Sequence, residues 1–411
     1  MGKGAEEYLV ALDLGTATTR CAVVCCRPGG QLTLEGYAEA PTLGVVKGLI
    51  VDAAGATESI RAAIEAAAGR ARVRVLTILA AVGTPFARGL NSRGCIGIAH
   101  EDKVIRGKDA RQALEAASRV SLPSDRAVAE AYSQGFAVDD VRGMRNPVGI
   151  AGGRLEAELH IVTDSRSTHA NMRQVIRKAG FRLERVLFGP MAAAEAVLAD
   201  EEKRLGGVHV DVGAGKTSLA LYAGGYPRFC RVLPIGSQHI TNDLAIGLNT
   251  SVVEAERLKR RLGVTDARRP RRRAESPTVE VPFADGSGLQ HFPLWRVGLI
   301  MQARIEEIFE LVSKELDRSG VAAAAGARVV LTGGFCRMTG AREAAEAALG
   351  RPVRFGHVEM ESALSQFESD PTHAVVLGTI SRGLVCREQK LDRRFEEEGW
   401  RSFFRRVAGW L

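Results

Sequence analysis

Ala11-Leu-Asp13-Leu-Gly15-Thr16 and His209-Val-Asp211-Val-Gly213-Ala-Gly215-Lys216-Thr217 decide the reading of this chain. Each closes a short apolar run, Tyr8–Asp13 in one case and Gly207–Val212 in the other, and then enters a glycine turn. That pattern predicts a buried strand running into a tight loop. Glycine lets the backbone approach a ligand closely, and successive N–H groups then cradle phosphate oxygens. An Asp at the strand end repels phosphate but can hold a hydrated Mg2+ that bridges to it. One strand ending in Asp-x-Gly is a commonplace turn. Two, at matching places in two halves of a chain, read as an internal duplication. They predict two loops that clamp one triphosphate from opposite sides.

The flanking sequence alternates strand and helix patterns. Thr18–Cys26 reads as a strand, Ala53–Arg70 as a helix with Ile60 and Ile64 on one face, and Val73–Val82 as a strand, which predicts an α/β domain. Gly83–Pro85 breaks the pattern, and residues 84–164 read as an inserted α+β module with a helix at Lys108–Val120 and a strand at Leu155–Thr163. A helix at Ser167–Ala179, a strand at Val186–Pro190 and a helix at Met191–Leu205 lead to the second loop. Further on, Leu331-Thr-Gly333-Gly334 is a strand entering a glycine pair, which lets the chain pass close to a flat base or ribose. Gly236-Ser-Gln-His-Ile-Thr-Asn-Asp243 precedes the helical stretch Glu254–Lys259, on which Glu256 and Lys259 share a face. They form either a surface ion pair or a grip on ribose and base. Ala374–Leu384 reads as a helix and residues 387–394 as a charged linker.

Composition narrows the class. In 411 residues, 45% are hydrophobic and 25% charged, which excludes a disordered, collagen-like or polytopic membrane chain. The net charge of +8 permits an acidic partner, lipid or nucleic acid, without choosing one. Cys21, Cys25, Cys26, Cys95, Cys230, Cys336 and Cys386 show no CxxC pair or zinc spacing, so reduced thiols of a cytosolic protein are expected. The opening MGKGAEEYLV has no apolar core of the kind a secretory signal carries.

The order of these pieces resembles the actin/Hsp70/sugar-kinase nucleotide fold, and more narrowly the bacterial actin-like cell-division family FtsA. Gly44-Val-Val-Lys-Gly-Leu-Ile-Val-Asp52, Asn146-Pro-Val-Gly149 with Arg154-Leu-Glu-Ala157, and Pro190-Met-Ala-Ala-Ala-Glu-Ala-Val-Leu198 carry the match. His239–Ile246 and Ala255–Lys259 add to it. The resemblance implies an actin-like (ribonuclease H-like) two-domain α/β fold that takes ATP and Mg2+. Subdomain IA would comprise 1–83 and 165–196, with 366–386 returning to it. Residues 84–164 would form the inserted subdomain IC, 197–245 with 318–365 subdomain IIA, and 246–317 subdomain IIB. A linker at 387–397 and a membrane-binding amphipathic helix at 398–411 would follow.

By the same resemblance Asp13, Gly15 and Thr16 form the first phosphate loop, and Asp211, Gly213, Gly215 and Thr217 the second, with Asp13 and Asp211 placed to hold the metal. Arg20 falls where actin has a phosphate-binding Lys. Gly236, Glu256, Lys259, Gly333 and Gly334 belong to the nucleoside side. Glu195 sits where actin orients its attacking water, or else is a solvated helix carboxylate. Three departures stand out: Lys216 replaces a Thr, Ser218 replaces an Asp, and Phe335 replaces a Gly beside the adenine slot. Nucleotide binding is expected, and hydrolysis is left open.

In the tail, Trp400, Phe403, Phe404, Val407 and Leu411 share one helical face, with Trp410 at its edge and Arg401, Arg405 and Arg406 off it. Such a helix is too short to span a bilayer but suited to lie in anionic headgroups. Each buried large apolar side chain contributes about 1.5–3 kcal/mol, offset by ordering costs, so a filament presenting many helices would bind far more tightly than one molecule. The resemblance implies a filament-forming tether that holds the tubulin-like ring protein FtsZ to the inner membrane and meets other division proteins. The acidic FtsZ tail would dock on the helix Trp295–Leu316, with Arg296 and Arg304 as its partners, or on the nearby Arg269–Arg273. A pilus-assembly actin-like binding protein and a sugar-kinase-like enzyme are the alternatives. Nucleic acid is not an expected partner, because no stacking aromatics interleave the basic run at 268–273.

Overall fold

The computed structural model describes residues 7–27, 32–99, 101–263, 277–321, 328–358 and 370–395, the last with side chains as far as Val385. The basic run at 268–273 and the helix expected at 398–411, with Trp400, Phe403, Phe404, Val407, Trp410 and Leu411, lie outside the described residues.

The apolar run around Asp13 is strand β1 (Glu7–Leu14), and β2 (Thr18–Cys26) pairs with it antiparallel. β3 (Leu32–Pro41), a small hairpin of β4 (Val45–Val46) and β5 (Leu49–Ile50), helix α1 (Ala53–Ala71) and β6 (Thr77–Val82) follow. After the inserted module come α3 (Arg166–Lys178) and β11 (Arg182–Phe188), which closes the first sheet in the order β11-β6-β1-β2-β3. One face of that sheet is covered by α1 and α3 through Ile60, Ile64, Val175 and Ile176. The other packs on α4 (Gly189–Val197) and α10 (Ala374–Phe395). Burial on both faces explains why β1 and β6 read as continuous apolar runs rather than alternating ones.

The second sheet repeats the motif. β12 (Gly207–Val212) pairs antiparallel with β13 (Thr217–Ala223) and parallel with β17 (Val329–Thr332), as β1 does with β2 and β6. The registers match: Asp13 faces Arg20 across the first hairpin, and Asp211 faces Ser218 across the second. Around this sheet run α5 (Asp200–Leu205), β14 (Tyr226–Leu233), α6 (Ser237–Gly247), α7 (Val252–Leu262), a hairpin of β15 (Thr278–Pro282) and β16 (Leu289–Pro293), α8 (Leu294–Arg318), α9 (Ala341–Leu349) and β18 (Val353–Phe355). α4 and α10 fill the space between the sheets. They approach closely where Gly378 of α10 meets the Ala-rich α4: a Cβ on Gly378 would meet Ala192 O at 2.2 Å.

The inserted module contributes β7 (Arg88–Gly97), α2 (Gly107–Ser118), β8 (Arg126–Val138), β9 (Val141–Met144) and β10 (Arg154–Ser165). Its strands prolong the second sheet, in the order β18-β17-β12-β13-β14-β7-β10-β8-β9, through the single pair Arg231 and Arg88. At its root the two chain crossings are clipped together, with Thr84 Oγ1 donating to both carboxylate oxygens of buried Asp164 at 2.8 and 3.0 Å.

Four expectations are corrected. The strand placed at Val73–Val82 begins at Thr77, because Arg72 ends α1 in a left-handed conformation and the chain must first run back to the sheet. The strand placed at Val186–Pro190 instead starts at Arg182 and ends at Phe188, and Pro190 opens α4, where its missing N–H is no loss. The helix placed at Met191–Leu205 breaks at Leu198, and Glu202 caps the new start by accepting from Ala199 N at 3.0 Å. Residues 387–394, expected as a linker, continue α10 to Phe395. Their Arg, Glu, Gln, Lys and Leu are good helix formers even without an apolar stripe. Among the described residues no helix is long and apolar enough to cross a membrane.

Candidate functional site

The loops after β1 and β12 meet across a cavity of about 320 Å3. Their contact is tight: a Cβ on Gly215 would lie 2.7 Å from Thr16 Cγ2 and 2.8 Å from Thr16 Oγ1, so only glycine fits there. The Thr16 hydroxyl is buried and has no hydrogen-bond partner among the described residues. Asp13, Gly15, Thr16 and Arg20 line the cavity from one side, and Asp211, Gly213 and Lys216 from the other. The second loop is braced from below by α6, where Ser237 N donates to Gly213 O at 2.9 Å and Gln238 N to Ala214 O at 2.8 Å. Gly236 permits this approach, since its Cβ would meet Gly213 O at 2.5 Å.

Burial raises the pKa of the Asp13 carboxyl; Arg20 and Lys216 pull it back down, and Asp211 across the cavity adds to the rise. Arg20 Nη1 lies 3.9 Å from Asp13, and its Nε donates to Glu39 at 3.1 Å. Asp211 is oriented by a chain of its own: Thr332 Oγ1 donates to its Oδ2 at 2.8 Å, and His209 Nε2 lies 2.8 Å from the same hydroxyl. Burial pushes His209 down to about 4, which keeps the ring neutral. Asp13 and Asp211 are the pair expected to hold Mg2+. Among the described residues no group of three or more His, Cys, Asp or Glu gathers around a metal-sized space. An ion on these two carboxylates would keep water and phosphate oxygens as its remaining ligands.

On the nucleoside side Lys259 is buried, and its Nζ reaches Glu256 at 2.6 Å and Thr241 Oγ1 at 2.8 Å. Burial opposes the Glu256 charge, but Lys259, Thr241 and Arg260 together hold that carboxyl at about 2. Gly333, at φ 92°, passes so close to β12 that a Cβ would meet Val212 O at 2.5 Å. Gly334 lines the cavity with open space around it.

Several expected residues lie elsewhere. Thr217 is fully buried and donates to Ile235 O at 2.8 Å rather than facing the cavity. Gly215 and Gly236 lie behind the lining, Gly215 making room for the Thr16 side chain and Gly236 for the backbone of Gly213 and Ala214. Phe335 turns into the core, edge-on to Phe309 at 5.7 Å, because the 3-10 turn Gly334–Arg337 rotates it inward. Glu195 does not line the cavity. It sits on the far face of α4 from Gly189 and Pro190, 3.6 Å from Arg382, and burial raises its pKa. Arg304 is already engaged by both oxygens of Asp243 at 2.6 and 2.9 Å and by Glu307, whereas exposed Arg296 lies over the Phe292 ring at 5.2 Å.

The cavity also holds residues that sequence reading passed over. Arg260, one turn from Glu256, was accessible to the same helical spacing argument. Arg337 and Thr372 were not, since only the turn after β17 and the 3-10 turn Pro371–His373 before α10 bring them together, at 3.0 Å.

Two duplicated strand-loop-strand units closing on one cavity define the actin-like fold. Solved structures of that class superimpose on the chain. The PilM-PilN type IV pilus biogenesis complex does so with a TM-score of 0.63 at 18% identity, covering 91% of this chain and 98% of that one. MreB5 of Spiroplasma citri bound to ADP gives 0.54 at 13% identity, covering 94% and 99%. Within that class, a family profile described as "Cell division protein FtsA" matches residues 208–378, and one described as "SHS2 domain inserted in FTSA" matches residues 87–163. The cell division protein FtsA of Pseudomonas aeruginosa is 31% identical over 92% of this chain and 89% of its own length. That of Bacillus subtilis is 31% identical over 95% and 86%. The chain belongs to the FtsA family of cell-division proteins.

Proposed function

We propose that this chain binds ATP with Mg2+ in the cavity between its two loops, polymerises with other copies at the cytoplasmic face of the inner membrane, and tethers FtsZ there through its C-terminal helix. The observation that carries the nucleotide reading is the contact of Thr16 with Gly215 across a cavity of about 320 Å3, within the range of small-molecule sites. The glycine cradles and the idle Thr16 hydroxyl suit phosphate oxygens, Asp13 and Asp211 suit the hydrated metal, and Glu256 with Lys259 suits the ribose. The bound nucleotide would supply a charged bridge between the two halves. Arg20 and Lys216 would offset phosphate charge, while Gly333 and Gly334 would let the nucleoside lie flat against backbone. With Glu195 turned away from the cavity, turnover is expected to be slow, so that the nucleotide serves assembly rather than catalysis.

Family membership supports the division role. On α8, Arg296 is the better candidate for the acidic FtsZ tail, since Arg304 is committed to Asp243. Liposome co-sedimentation of the full chain against a chain ending at Phe395, with and without ATP, tests the tether. Pelleting of the full chain alone, strengthened by ATP, is expected; equal pelleting of both removes the membrane role. A labelled FtsZ tail peptide that ignored the protein would remove the FtsZ role and leave the nucleotide site standing.

A further inference from the structure

Buried Glu130, on β8 of the inserted module, gathers donors from three elements. Tyr132, two residues on and therefore on the same face of the strand, donates its hydroxyl to Oε2 at 2.6 Å. Phe188 N, where β11 passes into α4, donates to the same oxygen at 3.0 Å. Arg382, on α10, donates through Nε to Oε1 at 2.9 Å and lays its guanidinium 4.7 Å from the centre of the Tyr132 ring. A carboxylate taken out of water needs such partners, and losing one of them is costly. The module's backbone pairing to the body is slight, a single pair at Arg231 and Arg88, so a side-chain join of this kind weighs heavily in how the module is seated.

A second carboxylate stands beside the first. Glu195 Oε1, on α4, lies 3.6 Å from Arg382 Nη1, beyond hydrogen-bond reach but within a small side-chain adjustment. Burial raises the pKa of Glu195, so its charge gains from a closer cation. That charge also falls on Tyr222 of β13, whose buried hydroxyl has no hydrogen-bond partner among the described residues. Arg382 carries five N–H donors in a planar fork, so it can turn from one acid to the other without giving up its charge.

We propose that Arg382 is a latch with two seats: on Glu130 it locks the inserted module to α10, and on Glu195 it releases the module while staying paired within the body. Release leaves Glu130 with Tyr132, which travels with it on β8. The second seat offsets part of what the first loses, and two arrangements that differ by few contacts are what a bistable element requires. Helix α10 runs to Phe395 and the stretch 398–411 follows it, so the latch ties the seating of the module to the helix from which the tail departs. That last link rests on the tether reading; the latch itself does not.

Hydrogen exchange of the full chain in solution tests it. Arg382→Met should speed exchange by about tenfold or more in β8 and α10 together, with β12 and β13 unchanged as the sign that the fold holds. Glu130→Gln should speed it in β8 by less. Glu195→Gln should act in the opposite direction: without the second seat the released form loses support, and β8 should exchange about threefold more slowly. Acceleration confined to α10 after Arg382→Met overturns the proposal, because Arg382 then serves its own helix alone. So does unchanged or faster exchange in β8 after Glu195→Gln, which makes Glu195 a plain structural partner. Should Arg382→Met disturb β12 as well, the near-isosteric Glu195→Gln decides alone. No lipid is present, so a full chain that fails to pellet with liposomes counts against the tether and not against the latch.

Discussion

At the level of single residues, the site depends on which atoms are missing. Gly215 admits Thr16 only because it has no Cβ, so Gly215→Val should force the loops apart and weaken binding of a fluorescent ATP analogue by tenfold or more, about 1.4 kcal/mol or above. Gly334→Ala, in open space, should leave the fold's stability unchanged, and calorimetry of both variants separates the two effects. Asp13 shows the opposite tension. Its folded pKa lies above the ordinary value, so the native state holds its proton more tightly and stability falls as pH rises through that range. Asp13→Asn should therefore raise the melting temperature of the nucleotide-free protein while lowering its Mg-nucleotide affinity, a trade expected where a site is kept strained for function. No rise in melting temperature would show that Arg20 and Lys216 already offset the burial. Glu256 has the reverse sign. Burial opposes its charge, yet Lys259, Thr241 and Arg260 hold it at about 2, so its stabilisation is present above the ordinary carboxylate range and is lost as pH falls toward 2. Glu256→Gln should flatten the fall of urea stability on that acid limb.

At the level of elements, Lys216 links the second loop to the inserted module. Its Nζ donates to Gly83 O at 2.7 Å, and its charge acts on both Asp13 and Asp164. Lys216→Thr should leave the cavity lined but loosen the module's root, read as faster hydrogen exchange at 83–87 and 164–167. Unchanged exchange there would reduce Lys216 to a phosphate ligand alone. The α4–α10 contact is close at Gly378. Gly378→Val would drive a side chain into Ala192 O and should destabilise by about 1–3 kcal/mol or more, measured by denaturant unfolding. The sequence revealed these elements unevenly. Strands β1 and β12 were legible because each is an apolar run closed by Asp-x-Gly and the two occur at matching places, and β2 because an apolar run resumes after the first turn. The break between α4 and α5 was not, because the Ala-rich run favours helix throughout and the kink comes from Glu202 reaching back to Ala199. The last turns of α10 were missed because residues 387–394 carry no apolar stripe, and helix propensity alone leaves a weak trace in a sequence.

Across the whole molecule, the two halves share one cavity, so a ligand there should stabilise them together. ATP with Mg2+ at about 100 times its dissociation constant should add about 2.7 kcal/mol, seen as one cooperative shift in unfolding. The sequence alone determined the duplication, the inserted module and the loop residues Asp13, Gly15, Asp211 and Gly213, because strand periodicity and glycine turns are local and leave a local trace. Only the tertiary structure decided that Phe335 enters the core, that Glu195 faces Arg382, that Arg304 is already paired, and that Arg337 and Thr372 reach the cavity. A side chain's direction depends on the turn it rides and on what packs behind it, and those partners lie far away along the chain.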